Sequence, residues 1–369
     1  MAKVFLTLDR LTVEQVNLIK GVGILLIVLH NFFHNLPPAL GENEFNFNPQ
    51  LLGNYIEYIS TAPGELFGAL FSIWGHHGVE LFILTSAYGV TIACRERPKP
   101  YLKFQLHNLS KLYISFVICV IAYVCLGLLK QQFVTEQVLY WDSLAWKLLL
   151  ISNFIPGQGL MPVGPWWFVP FIFQFYLILP IILWLYKRYS GAVLLLISVA
   201  GYAFEVSYLQ VLPQLNYSPF GHLPLFCLGI YLANAKKLSL SWWHVFASLA
   251  IFSFAQLNYY VWAIGDVAIA VLLLALTAKM LFERDASSFI VRGVHFFGGI
   301  SLHLFLVNGF LRSPFKALAA QLDSWWGSII AAFASLIFSV LFALCLRWVE
   351  NRLRAYHSTL RQRSIKTVP

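Results

Sequence analysis

The sequence predicts an all-α fold, a polytopic transmembrane helical bundle of about ten spans, and three observations predict it. First, 59% of the 369 residues are hydrophobic and only 11% are charged, with a mean hydropathy of +0.71, values outside the range of soluble domains. Second, apolar runs long enough to cross a hydrocarbon core of about 30 Å recur along the whole chain. Third, lysine and arginine are sorted into alternate connectors between those runs.

The runs justify themselves in order. The first, 18–34, follows a polar stretch with Asp9, Arg10 and Glu14, and no small-residue cleavage site comes after it, so it reads as a retained helix and not a signal peptide. Runs at 66–93, 112–129, 166–186 and 190–208 follow. A shorter one at 222–234, with His222 and Pro224 at its start and Lys236 and Lys237 after it, counts as a short span. Runs at 241–257, 262–282, 294–312 and 327–347 complete the set, and an even number puts both termini on one side.

Charge names that side. With a cytoplasmic N-terminus, only Lys130, Lys147, Arg312 and Lys316 of the 25 basic residues lie outside, and the rest, from Lys3 to the tail beyond Arg347, lie inside. Both termini are therefore expected in the cytoplasm. The net charge of +9 reads as an anchor at the inner leaflet, and no basic patch interleaved with aromatics points to nucleic acid. The bilayer is the expected partner. Cys94, Cys119, Cys125, Cys227 and Cys345 fall in or at the ends of spans, which predicts five free thiols and no metal site. The sequence shows no fixed-period repeat, so a single membrane domain over 1–350 with a basic cytoplasmic tail at 351–369 is expected.

The chemistry begins in Asn17–Pro38, NLIKGVGILLIVLHNFFHNLPP. At 100° per residue Lys20, His30, Asn31 and His34 share an arc of roughly 100°, and an ionisable stripe on a spanning helix marks function by default. The ordinary alternatives are histidines hydrogen-bonded to a neighbouring helix and a lysine snorkelling to the headgroups. Glu80 is the only acid placed well within a span, one turn or less after His76 and His77, and reads either as orienting a histidine or as an interhelical ion pair or water-facing residue near the outer end. On the outer face, 35–65 carries Glu42, Glu44, Glu57 and Glu65 without a basic residue, and 130–165 ends in the turn-rich FIPGQGLMPVGP. Glu42 and Glu44 are the candidates there for binding sugar hydroxyls, a solvated connector being the alternative.

The first helix resembles the opening segment of the acyltransferase 3 family of bacterial membrane O-acyltransferases, with Lys20-Gly21 at its start. HHGVELFILTSAYG at 76–89 and WWFVPFIFQFYLILP at 166–180 resemble the family's later helices, and FCLGIYLA at 226–233, FGGISLHLFLV at 297–307 and LRWVENRLR at 346–354 its closing ones. The order of these segments carries the resemblance over nearly the whole chain. The departures are Asn31 where the family has histidine eleven residues after the basic residue, Ala87 after Ser86 in place of glycine, SKLY at 110–113 in place of an Arg-rich stretch, and Asn308 at a late-helix histidine position.

The resemblance implies transfer of an acyl group, acetyl foremost, from a coenzyme A thioester to a hydroxyl of a cell-envelope polysaccharide or lipid-linked glycan at the cell (inner) membrane. Acetyl-CoA would be the acyl donor, with no tightly bound cofactor. His30 or His34 would be the base, since neutral imidazole accepts a proton near neutral pH. Lys20, about 15 Å along the helix from His30, lies within reach of an extended pantetheine arm. Arg95, Arg97, Lys103 and Lys111 would bind the coenzyme A phosphates, unless they serve only as the positive-inside anchor. Ser86 and Tyr88 would donate hydrogen bonds near the thioester or pack helices. Trp167 is a sugar-stacking candidate that, with Trp166, also fits an interfacial aromatic belt. Ser301, His303 and Asn308 fit interhelical hydrogen bonding. The rival function is a transporter or flippase for a glycolipid or small solute, against which stands the lack of related halves; an inactive scaffold is the third.

Overall fold

The computed structural model describes residues 4–37, 39–133, 139–208 and 211–366. Pro38 and 134–138 in the two long outer loops, Lys3, and tail residues 367–369 lie outside the described residues. The chain opens with strand β1 (Val4–Leu8) and helix α1 (Val13–Phe33). Thr12 starts α1 through a capping box: its hydroxyl accepts from the Gln15 N–H, and the Gln15 side chain accepts from the Thr12 N–H. After α2 (Leu51–Thr61), helix α3 (Leu66–Trp74), a 3-10 turn at Gly75–His77 and α4 (Gly78–Glu96) form one apolar span. Helices α5 (Tyr101–Phe133), α6 (Trp141–Leu148), α7 (Phe168–Tyr189), α8 (Gly191–Tyr208) and α9 (Leu223–Asn234) lead to strand β2 (Leu238–Ser241). Then come α10 (Trp242–Ala255), α11 (Tyr259–Thr277), α12 (Phe289–Gly299), α13 (Ser301–Leu311), α14 (Ser313–Leu322) and α15 (Trp325–Lys366).

The fold is a polytopic helical bundle with almost no sheet. Among the described residues, seven helices are long and apolar enough to cross a membrane, and eight if the α12–α13 pair, bent by 78°, is one span. The expected spans at 222–234 and 241–257 become α9 and α10, of 12 and 14 residues. At 1.5 Å per residue these reach only about 18–21 Å, short of a hydrocarbon core, so the expectation of about ten full spans is met by length in seven or eight. Contacts still tie α9 and α10 to both ends of the bundle. Asn216, before α9, donates to the Phe45 carbonyl, whereas Arg95 reaches the carbonyl of Ala233 at the far end of α9. Ser241, before α10, belongs to the strand paired with β1, whereas Gln256, after it, accepts from Trp74.

The all-α expectation missed one detail. Strands β1 and β2 pair antiparallel, with Leu6 opposite Leu240, and both leucines are buried under α11. Their alternating VFLTL and LSLS patterns carry the period of a strand, but each is too short to stand out beside the helices. Helix α15 runs unbroken across the expected boundary at 350 to Lys366.

Glycines set the helix spacing that positions the site. A Cβ on Gly75 would lie 2.6 Å from the His30 Cβ and 2.9 Å from the Leu26 carbonyl oxygen, and one on Gly78 would lie 2.3 Å from the Gly23 oxygen. The 75–78 turn can therefore press against α1 only as glycine, and this close approach sets His76 beside His30, with ring centroids 5.3 Å apart.

Candidate active site

Two cavities approach each other inside the bundle. The larger, about 630 Å³, lies at the end of the bundle that holds Lys20 and the 95–111 segment. Its walls include Ile27, Val79, Phe82, Ser86, Phe168 and Phe305, and its mouth carries Lys20, Arg97, Lys99, His107 and Lys111. Among the described residues, none of these four Lys and Arg side chains forms an ion pair with a carboxylate. Four uncompensated cations at the mouth of an apolar cavity make an anion site with a greasy interior.

The smaller pocket, about 80 Å³, opens at the other end and is lined by His30, Asn31, His34, Glu42, Glu44, His76, Trp167 and Arg312. Ile27, Val79 and Phe305 line both cavities and form the partition between them. Ile27 and His30 stand three residues apart on α1, so one helical face presents apolar wall and imidazole in succession.

His30 is buried, with Nδ1 3.0 Å from the Phe71 carbonyl oxygen and Nε2 2.6 Å from Glu42 Oε2. A carbonyl can only accept, so Nδ1 carries a hydrogen and Nε2 is the nitrogen that exchanges a proton with Glu42. The same Glu42 oxygen lies 3.1 Å from His34 Nδ1. Burial works against ionisation of Glu42, but the His30 and His34 rings and Arg312 outweigh it and hold the carboxyl below the usual range. Glu44 is pushed the other way. Burial, then the carboxyls of Glu42, Glu80 and Asp266, hold it well above the usual range. Two acids two residues apart are thus separated into a proton acceptor and a proton holder.

The chain matches a family described as an acyltransferase domain over residues 13–348. It belongs to the acyltransferase 3 family. The family match and the run of apolar helices together make it a multi-pass membrane protein with an acyltransferase domain. No curated protein and no solved structure matches the chain. The two departures from the family's histidine pattern meet in space: the Asn31 side chain donates to Asn308 Oδ1 at 2.9 Å, and the Arg312 guanidinium donates to the Asn31 carbonyl at 2.7 Å. These amides cross-link α1 and α13 beside the pocket, and imidazoles stand on either side of Asn31 at His30 and His34.

The structure brings some of the sequence candidates together and not others. His30, His34, Glu42, Glu44 and Trp167 share the smaller pocket, and Lys20, Arg97, Lys111 and Ser86 share the larger. Glu42 meets the two histidines directly, an arrangement different from the expected contact with sugar hydroxyls alone. Glu80 pairs with His77 and not with His30, Oε1 lying 3.2 Å from Nδ1. Arg95 is spent on the Ala233 carbonyl, Lys103 is exposed, and the Tyr88 hydroxyl donates to the Leu11 carbonyl; none of the three lines the cavity. Helical spacing explains this, since only part of a helical surface can face one cavity. Trp166 and Trp167 are buried at 0% and 4% exposure, so neither forms an interfacial belt. His303 and Ser115 both contact Glu350 Oε2 at 2.7 Å, a network tying α13, α5 and α15.

Sequence reasoning missed several residues. Lys99 and His107 join the larger cavity, Arg312 and His76 the smaller. It also passed over two buried-region acids, Glu205 in α8 and Asp266 in α11. The signal for Asp266 was present, as the lone acid in YYVWAIGDVAIAVLLLALT.

Proposed function

We propose that this protein is an O-acyltransferase that moves a short acyl group, acetyl foremost, from coenzyme A on the cytoplasmic side of the cell (inner) membrane to a hydroxyl of a cell-envelope glycan or its lipid-linked precursor on the other side. One observation carries the reading: a cation-mouthed apolar cavity and a histidine-carboxylate pocket meet end to end at Ile27, Val79 and Phe305. Phosphates of the donor suit Lys20, Arg97, Lys99 and Lys111, and the pantetheine arm suits the apolar walls. The cavity volume lies within the range of ligand sites. Both termini are then cytoplasmic, as the distribution of lysine and arginine requires.

In this reading the acceptor hydroxyl enters the smaller pocket and attacks the thioester carbonyl carbon. The His30–Glu42 pair takes the hydroxyl proton, with Nδ1 of His30 held by the Phe71 carbonyl. An ester C–O bond forms, the C–S bond breaks, and the coenzyme A thiolate leaves through the larger cavity and takes up a proton from water, while the His30–Glu42 pair releases the hydroxyl proton to water, so that the base is restored and no net proton is gained or lost. Arg312 and the Asn31 amide lie in the pocket wall as donors for the oxyanion. Trp167, packed edge-on against Phe45 at 5.2 Å, offers an apolar surface for a sugar ring.

The test is O-acetylation of envelope glycans in a deletion strain carrying wild type, His30→Ala or His34→Ala, together with thiol release from acetyl-CoA by the purified protein. Wild type is expected to restore acetylation and His30→Ala to abolish it. Unchanged acetylation in all strains, with no thiol release in vitro, would overturn the proposal.

A further inference from the structure

A second polar cluster lies next to the histidine pocket and takes no part in the acyl transfer described above. It is built from His77 at the end of the 3-10 turn, Glu80 in the first turn of α4, Asp266 in α11 and His222 at the start of α9. One donor atom each from His77, Glu80 and Asp266 lies within 4.8 Å of the other two. His222 Nδ1 adds a fourth, 3.4 Å from Asp266 Oδ2. Three segments distant in sequence thus bring these side chains together, His77, Glu80 and Asp266 as one group and His222 through its contact with Asp266.

The cluster is short of positive charge. Among the described residues no lysine or arginine pairs with Glu80 or Asp266, whose only ion-pair partners are the two imidazoles. The Glu80 side chain is 6% exposed, and while Oε1 faces His77, Oε2 is buried without a hydrogen-bond partner. His222 Nδ1 is likewise buried and without a hydrogen bond. Buried carboxylates with unfilled lone pairs demand a cation.

Geometry and donor type narrow the cation. Bonds of about 2.0–2.1 Å to a tetrahedral ion put neighbouring donors about 3.3 Å apart. The His77–Glu80 separation is 3.2 Å, and the Asp266 donor lies within 4.8 Å of both. Imidazole with carboxylate suits zinc and its first-row neighbours, whereas calcium and magnesium take oxygen alone. Two neutral imidazoles and two carboxylates also balance a double positive charge.

We propose that His77, Glu80 and Asp266 bind one divalent first-row transition ion of the zinc class, with His222 holding Asp266 in place. The ion would join the 75–78 turn to α11 and so hold His76 beside His30 from the far side. Asp266, with its side chain 29% exposed, gives the ion a route in. This goes beyond the proposed reaction, and its test reads metal content without reference to acyl transfer.

The experiment uses the full chain, purified in nanodiscs, stripped with chelator, reloaded with zinc or cobalt(II) and desalted. Wild type and His30→Ala are expected to retain one ion per chain, with the visible absorption of tetrahedral cobalt. Glu80→Gln and Asp266→Asn, checked for monodisperse elution, are expected to retain none. Zinc is expected to raise the Tm of wild type and His30→Ala and to leave that of Asp266→Asn unmoved, a reading that each protein supplies from its own zinc-free control. His222→Gln, at the rim of the cluster, is expected to weaken retention at least tenfold. Wild type without stoichiometric metal would overturn the proposal in favour of protons shared between the carboxyls. So would metal that survives Asp266→Asn but is lost in His30→Ala, which would move the ion to His30, Glu42 and His76.

Discussion

Replacing Glu42 with glutamine is the sharpest test of the histidine pocket. The side chain keeps its size and can still hydrogen-bond His30 Nε2, so the change removes charge with little change of shape. At the observed 2.6 Å, opposite unit charges attract by about 6 kcal/mol at an effective dielectric of about 20, which is a ceiling on what Glu42 gives the imidazolium as it forms. A positioned base contributes about 10²–10⁴ in rate, or about 3–5 kcal/mol of barrier, which lies under that ceiling. Glu42→Gln is therefore expected to lower kcat by about 10²–10⁴ and to leave KM for acetyl-CoA within a factor of about three, because the donor cavity ends at Ile27, Val79 and Phe305. The assay is thiol release in nanodiscs at saturating acceptor, with elution profile and Tm as controls. If His30 and Glu42 act as one base, His30→Ala with Glu42→Gln should be no slower than the worse single variant. A kcat within threefold of wild type, or a loss confined to KM, would refute the assignment.

Three further outcomes follow from the same geometry. Arg97→Ala and Lys111→Ala should each raise KM for acetyl-CoA by about tenfold or more, the worth of a hydrogen bond to a charged group, and the rise should shrink in high salt; Arg95→Ala, whose guanidinium serves the Ala233 carbonyl, should leave KM unchanged in the same titration. Gly75→Ala should cost about 1–3 kcal/mol by overpacking against His30, whereas Gly53→Ala, with open space around its Cβ position, should not lower Tm; equal Tm values would argue against the close approach of the turn to α1. Lys147 in α6 is 0% exposed and donates to the Gly159 carbonyl, and burial lowers its pKa from 10.5 to about 7. The folded state therefore binds that proton less readily than the unfolded one. Stability that is present above pH 10.5 is lost as pH falls toward 7, by at most about 5 kcal/mol at 1.36 kcal/mol per pH unit. Lys147→Met should flatten the rise in Tm between pH 7 and 10, and an unchanged slope would show that Lys147 is charged in the fold.

The legible part of the site was the part written along single helices. Lys20, His30 and His34 share a face because 3.6 residues make a turn, and the structure spreads them from the larger cavity to the smaller pocket as that period requires. Arg97 and Lys111 were readable as basic residues of one connector, but nothing local separated them from Arg95 and Lys103, whose roles depend on which way each turn of helix faces. Glu42 was visible as an acid in a long outer loop. Its contact with both histidines was not, since a loop returning over a helix end leaves no periodic trace.

By itself the sequence determined the class and the bundle, because burying apolar surface in a bilayer and keeping lysine and arginine in water act on each segment separately, and the order of its resembling segments pointed to the family. It also determined which helix carries the imidazoles. Only the tertiary structure decided what those imidazoles touch. His77 and Glu80 are neighbours in sequence, but Asp266 and His222 reach them through the packing of α11 and α9 on α4. The packing of α9 on α4 turns on Gly229, where a Cβ would lie 2.6 Å from the Ala87 Cβ, and on contacts between elements far apart in the chain, where hydrophobicity ranks many arrangements alike and close fit selects one.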